Sequence, residues 1–188
     1  QQKLTDIYNA LKVNKNLSSK PHREIVKYRK KIQSYREDRL RINSASGKII
    51  PEILPFIDSL FKALEKAGAE IVSKYNETEV LYKKYTFTLN FKLPCKKIML
   101  SPDDKNYSDY HTFEYETTGK INVEVGYKVY WYKWGRYEKL IKQTKTTTLE
   151  DLLRRVFLYI FSLPEIIDEK ERDHIIAEEK NLKEEQER

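Results

Sequence analysis

The sequence predicts an α+β fold: a mainly antiparallel sheet with a helix packed on one face, helices before it and a long C-terminal helix after it. Two segments, Tyr85–Leu93 and Ile121–Trp131, alternate apolar and polar residues with a period of two. Two others, Phe56–Leu64 and Leu149–Ile160, place apolar residues at helical spacing. Such alternation indicates antiparallel strands with one buried face, because strands of an all-parallel sheet are apolar throughout.

Residues 1–39 are predicted to form a basic helical segment. Apolar residues at helical spacing predict a short helix from Thr5 to Leu17, followed by a polar linker. Pro21 suits the first turn of a second helix over about residues 21–39. One side of this helix is apolar, with Ile25, Tyr28, Ile32 and Tyr35. The opposite side is a cationic strip of four residues, Arg23, Lys27, Lys30 and Lys31.

Residues 40–163 are predicted to form the core domain. A strand can start at Leu40, and a turn over residues 43–47 would end it. The clearest helix spans about residues 52–67, with Gly68 able to end it in left-handed geometry. Shorter candidate strands lie at residues 69–73, 78–82, 96–100 and 111–116, and residues 101–108 have the composition of a polar loop.

The last helix begins at a capping box, Thr147–Glu150, of the type S/T-x-x-E. Pro164 is expected to kink or interrupt it. Residues 164–188 then form a charged helical tail whose apolar stripe is too thin for a core helix.

Charge is distributed unevenly along the 188 residues. Residues 1–41 contain 12 basic and 4 acidic residues, and residues 165–188 contain 5 basic and 10 acidic ones. This asymmetry indicates a basic end that faces a polyanion and a solvated acidic tail, and it is equally compatible with the two ends pairing across a dimer. With one cysteine, no signal peptide and no apolar run long enough for a membrane span, the expected location is the cytoplasm.

The search for catalytic chemistry is mostly negative, so we predict no catalytic residue, no metal and no cofactor. Glycine-rich phosphate loops and the common hydrolase motifs are absent, and His22, His111 and His174 fall in three separate elements. Cys95 lies beside two lysines but has no neighbouring histidine to act as a base. One alternative is a metal-dependent hydrolase that uses the acidic residues around the central loop, Asp103, Asp104, Asp109, Glu114 and Glu116.

The positive signal is basic and aromatic, and it favours a non-enzymatic, nucleic-acid-associated module. The cationic strip is one candidate contact for phosphate, because four like charges within two turns repel each other and an anionic partner would relieve that repulsion. A second, weaker patch combines stacking surfaces with cations: Tyr130, Tyr132, Lys133 and Arg136. The competing hypothesis is a protein-interaction module that forms homo-oligomers through the charged terminal helices.

Several segments, in order, resemble a family of uncharacterised bacterial proteins in which a helix-turn-helix segment precedes an α/β domain. The matching pieces are Ser46–Ile49, Ile57–Gly68, Thr118–Ile121, Trp134 and Leu149–Leu153, and the likeness covers about residues 20–185. The chain departs from the pattern at Thr117, where the family tends to have proline, and in a long Lys/Thr insertion after Trp134. The resemblance implies a DNA-binding segment upstream of residue 1, which would make this chain the C-terminal part of a larger protein. It assigns no activity and no functional residue.

Overall fold

The computed structural model describes residues 2–30, 38–74, 77–129, 131 and 135–186, and within them it has the predicted α+β architecture. The helices are α1 (Gln2–Asn9), α2 (Arg23–Arg29), α3 (Ile53–Lys66) and α4 (Leu149–Gln186). The strands are β1 (Ile42–Ser44), β2 (Glu70–Ser73), β3 (Thr78–Tyr82), β4 (Tyr85–Leu93), β5 (Cys95–Met99), β6 (Phe113–Thr117), β7 (Asn122–Lys128) and β8 (Arg136–Lys142). No helix in these residues has the length and apolar content needed to cross a membrane.

The main sheet is mostly antiparallel, in the order β2-β3-β4-β7-β8. β4 is its longest strand: β3 pairs with its first half and β7 with its middle and end. β1 is parallel to β4 and pairs with Phe91–Leu93, beyond the last residue that β3 reaches. β5 and β6 form a separate antiparallel ribbon.

The core lies between one face of this sheet and the helices α3 and α4. The apolar positions of the two alternating segments point into it, and Phe87, Phe91 and Val125 are each fully buried. The ring of Phe61 on α3 meets that of Phe91 at 5.9 Å between centroids. The predicted alternation therefore describes one buried face, while the opposite face of the sheet is polar.

Four elements differ from the sequence-based expectations. α1 spans Gln2–Asn9 instead of Thr5–Leu17, because the N–H of Leu11 bonds to the carbonyl of Tyr8 at 3.2 Å and the chain then continues as a loop. α2 ends at Arg29, because Lys30 takes an extended conformation with ψ 151°, so the helix is shorter than the predicted span of 21–39. β8 was not predicted, because only one of its seven residues, Ile141, is buried and the segment lacks an apolar alternation. Pro164 does not interrupt α4, because the helix continues through it to Gln186. Pro164 is buried on the packed face of the helix, as are Leu163 and Ile167.

The start of α4 uses the predicted capping chemistry one residue later in the chain. The N–H of Asp151 donates to Thr148 Oγ1 at 3.1 Å, and the N–H of Thr148 donates to Asp151 Oδ2 at 3.1 Å. These two reciprocal bonds form a capping box from Thr148 to Asp151, in place of Thr147 to Glu150.

Candidate nucleic-acid interface

The structure gives the first two residues of the predicted cationic strip a carboxylate partner. Glu24 lies on α2 between them and is only 1% exposed. Its Oε1 lies 2.9 Å from Lys27 Nζ and 3.7 Å from Arg23 Nε. A buried carboxylate needs such partners, because an isolated charge removed from water is strongly destabilised. The charges of Arg23 and Lys27 are therefore partly neutralised within the fold.

Arg23 also links three elements of the amino-terminal region. Its guanidinium donates to the backbone carbonyl of Ile71 on β2 at 2.9 Å and lies 3.5 Å from Glu65 Oε1 on α3. The adjacent His22 is buried, and its Nε2 lies 3.0 Å from the same Glu65 oxygen. Arg23 thus has a packing role in addition to any contact with a ligand.

Of the second predicted patch, only Arg136 lies in the described residues; Tyr130, Tyr132 and Lys133 lie outside them, as does Lys31 of the cationic strip. Arg136 pairs with Glu77 and Glu138 and donates to Thr88 Oγ1 at 3.4 Å, so it crosses the polar face of the sheet. Burial lowers the pKa of Arg136, but the hydrogen bond and the charge of Glu77 outweigh burial and raise it overall. The guanidinium is therefore held by carboxylates of its own chain.

A different group of cations is left unpaired near the amino terminus. Among the exposed cations that make no ion pair with an acidic residue in the described ranges, we call six the amino-terminal cationic surface: Lys12, Lys15, Lys20, Arg29, Lys30 and Lys66. Lys30 is the one member that belongs to the predicted strip. The stretch 2–30 carries eight basic and two acidic residues, a net charge of +6.

Two neighbouring clefts open on this surface. One has a volume of about 230 Å³ and is lined by Lys12 and Lys66 together with apolar side chains of α1 and α3. The other has a volume of about 420 Å³, and its cations are Lys15 and Arg29. Leu17 and Leu54 are among the apolar residues that line this second cleft. Each cleft therefore combines apolar side chains with two cations that lack a carboxylate partner in the described residues, and the first cleft is also lined by the ion pair of Asp58 and Lys62.

Asp58 on α3 fixes the loop that carries several of these cations. Its carboxylate is 3% exposed and accepts hydrogen bonds from His22 N at 2.7 Å and from Ser18 Oγ at 3.1 Å. Lys62, one turn later on α3, lies 2.7 Å from Asp58 and donates to the backbone carbonyl of Lys20 at 2.8 Å. The loop between α1 and α2 is thus tied to α3 by a buried anion, and its lysines point outward.

This arrangement is suited to hold the phosphate groups of an extended polyanion. Lysine and arginine contact phosphate through charge-assisted hydrogen bonds that carry no sequence information by themselves. The high charge of the amino-terminal segment was visible in the sequence. The choice of cations was not, because Lys12, Lys15 and Lys20 lie in the loop after α1 and not on the helix predicted there, and Lys66 is distant in sequence.

Two of the five acidic residues named for the hydrolase alternative accept hydrogen bonds from the central loop. Asp104 Oδ2 accepts a hydrogen bond from Ser101 N at 2.6 Å, and Glu114 Oε1 accepts one from Asn106 at 2.9 Å. Throughout the part of the chain that the structure describes, no group of three or more His, Cys, Asp or Glu residues is arranged to hold a metal ion.

Cys95 lies beside the turn that follows β1. Burial raises the pKa of its thiol, but hydrogen bonds from the backbone of Ser46 and the hydroxyls of Ser44 and Ser46 outweigh burial and lower it overall. The thiol also donates a hydrogen bond to the carbonyl of Leu93 at 3.4 Å, and the turn has serines where a nucleophilic site would need a base.

Comparison with known proteins adds no relative: no protein-family model, no curated protein and no solved structure matches the chain.

Proposed function

We propose that the protein is a non-enzymatic, nucleic-acid-associated module that contacts phosphate through its amino-terminal cationic surface. The observation that carries the proposal is the presence of six exposed cations without a carboxylate partner in the described residues, four of which line two clefts. A cluster of this kind repels itself at low ionic strength, and the phosphates of a nucleic acid relieve the repulsion. The upstream DNA-binding segment implied by the family resemblance would add a second contact with the same ligand.

Binding through phosphates has a quantitative signature in its salt dependence. The logarithm of the association constant falls linearly with the logarithm of the salt concentration, with a slope of about −0.9 for each neutralised phosphate of B-DNA. If four to six of the cations reach phosphates, the slope should be roughly −4 to −5. The surface has no exposed aromatic platform among its six defining residues, so binding should depend little on base sequence.

Fluorescence anisotropy with duplex DNA, single-stranded DNA and RNA at several salt concentrations tests the proposal. The variant Lys15→Gln/Arg29→Gln removes two charges from the larger cleft and should make the slope shallower by about 2. The variant Lys96→Gln/Lys105→Gln removes the same charge from the exposed β5–β6 region and is the matched control. Absence of salt-dependent binding, or equal losses in both variants, would contradict the proposal.

Arg23 and Lys27 provide a second comparison, because they are basic residues of the same helix that already have a carboxylate partner. Lys27→Gln should change the slope by less than Arg29→Gln, since Lys27 would have to leave Glu24 to reach a phosphate. A larger effect at Lys27 would place the phosphate contact on the cationic strip that the sequence predicts.

A further inference from the structure

The last turns of α4 extend away from the rest of the molecule. The helix contacts the sheet through Asp168, which lies 3.2 Å from Lys84, and through Lys170, whose Nζ lies 4.5 Å from the ring of Tyr137. The ring of His174 stacks on Trp131 at 5.7 Å. Beyond His174, every residue from Ile175 to Gln186 is exposed. We call residues 175–186 the acidic helix end.

The acidic helix end carries an exposed apolar stripe, which has no role in a helix surrounded by water. Ile175 and Leu182 are 48% and 57% exposed, and they lie on the same side of the helix because they are seven residues apart. Glu178 and Glu179 flank this stripe. The unpacked end of a helix frays, so a partner for the stripe would stabilise these last turns of α4.

The amino-terminal cationic surface of the same chain is too far away to be that partner. The first turns of α4 contact the amino-terminal region: Glu150 Oε1 accepts a hydrogen bond from Val13 N at 3.4 Å, and Arg154 lies over the ring of Tyr8. His174 follows Glu150 by 24 residues, which at 1.5 Å per residue corresponds to roughly 36 Å along the helix. The two charged regions therefore lie at opposite ends of α4.

We infer that the acidic helix end of one copy docks on the amino-terminal cationic surface of a second copy of this chain. The chemistry of the two surfaces is complementary. The acidic helix end contains four acidic and two basic residues, a net charge of −2, whereas residues 2–30 have a net charge of +6. The stripe of Ile175 and Leu182 is suited to the larger cleft, whose lining includes Leu17 and Leu54 together with the cations Lys15 and Arg29.

The position of the two surfaces also specifies the assembly. Because each copy carries both surfaces at opposite ends of one long helix, two antiparallel copies can exchange both contacts. This arrangement is a closed twofold dimer with the same contact made twice. The inference does not require nucleic-acid binding, but nucleic acid would compete with it because both use the same cationic surface.

Light scattering coupled to size-exclusion chromatography, and sedimentation velocity, test the inference on the full chain. We expect a dimer at about 50 mM salt that dissociates toward the monomer at about 500 mM, since screening weakens exposed charge pairs. A monomer at low salt and high protein concentration would overturn the inference.

Charge reversal separates a specific contact from damage to the fold. Glu178→Lys/Glu179→Lys reverses the helix end, and Lys15→Glu/Arg29→Glu reverses the cleft; each variant alone should dimerise at least about tenfold more weakly. Mixing the two variants should restore the dimer, because each then presents a surface complementary to the other. Failure of the mixture to dimerise, or full dimerisation of either variant alone, would overturn the inference.

The same variants distinguish this inference from the proposed function. The helix-end variant should retain salt-dependent binding of nucleic acid, and the cleft variant should lose it. Loss of dimerisation in the helix-end variant therefore tests self-association without affecting the proposed phosphate contacts.

Discussion

Gly126 should not tolerate a side chain, because neighbouring strands crowd it on the polar face of the sheet. It is on β7, paired with Thr88 on β4 and Glu138 on β8. A Cβ atom at this position would lie 2.6 Å from Thr88 Oγ1 and 3.3 Å from Glu138 Cγ. Thr88 is 5% exposed, and its hydroxyl accepts the hydrogen bond from Arg136.

Two opposing effects determine the stability of Gly126→Ala. Replacing glycine by alanine reduces the entropy of the unfolded chain and stabilises a protein by about 0.4–1 kcal/mol where the native backbone accepts it. Overpacking a close contact costs about 1–3 kcal/mol. A separation of 2.6 Å requires Thr88 to move, so the overpacking should be the larger effect. We expect a net loss of about 0.5–2 kcal/mol in the free energy of unfolding.

A double-mutant cycle with urea unfolding identifies the cause. In the background Thr88→Ala the obstructing oxygen is absent, and Gly126→Ala should become neutral or stabilising by up to about 1 kcal/mol. The background Thr88→Val is the matched control, because a methyl group replaces the oxygen and the penalty should remain. If Gly126→Ala costs the same in all three backgrounds, the reasoning from this contact is wrong.

Three further predictions concern stability and are measured by urea unfolding. Thr148→Ala should cost about 1 kcal/mol by removing the cap of α4, and an equal loss in Thr147→Ala would contradict the observed capping box. Phe157→Ala should lower the free energy of unfolding by about 3–5 kcal/mol, because the ring is 1% exposed. Leu158→Ala, at 52% exposure, should change it by less than about 0.5 kcal/mol. Burial raises the pKa of Glu124, but hydrogen bonds from Lys92 and Asn90 on β4 lower it overall. The ionised carboxylate therefore stabilises the fold above the ordinary glutamate pKa, and this stabilisation is lost as the pH falls through the lowered pKa of the folded state. Glu124→Gln should therefore lose less stability than the wild type below about pH 4. An unchanged dependence of the free energy of unfolding on acidic pH would contradict this role of Glu124.

The sequence predicts correctly those elements in which the period of the apolar residues matches the face that is buried in the fold. In β4, alternation over Tyr85–Leu93 reports a strand with one face on the core, and the register with its neighbours follows from that face. In α3, apolar residues at helical spacing before Gly68 report both the buried side and the end of the helix. Local pattern is sufficient in these cases because the burial of one face selects the conformation.

The elements that the sequence does not predict depend on partners distant in the chain. β8 is an edge strand held mainly by its hydrogen bonds to β7, and those bonds leave no periodic signal in its side chains. The strip on α2 illustrates the same limit for the site. The pairing of Lys27 with Glu24 is local, but Arg23 also lies beside Glu65, which is 42 residues away in sequence. Which cations remain unpaired is therefore a property of the tertiary structure.

The two proposals together predict a competition, because nucleic acid and the acidic helix end would occupy the same cationic surface. Ligands that exclude each other from one site must each weaken the apparent affinity of the other. A saturating oligonucleotide should therefore convert the dimer into a complex of one chain with nucleic acid. Deletion of residues 175–188 should strengthen nucleic-acid binding at low ionic strength, where charges are little screened. Light scattering of the mixture measures the first effect, and anisotropy measures the second. A complex that contains two protein chains and bound nucleic acid, with both affinities unchanged, would show that the two partners use separate surfaces.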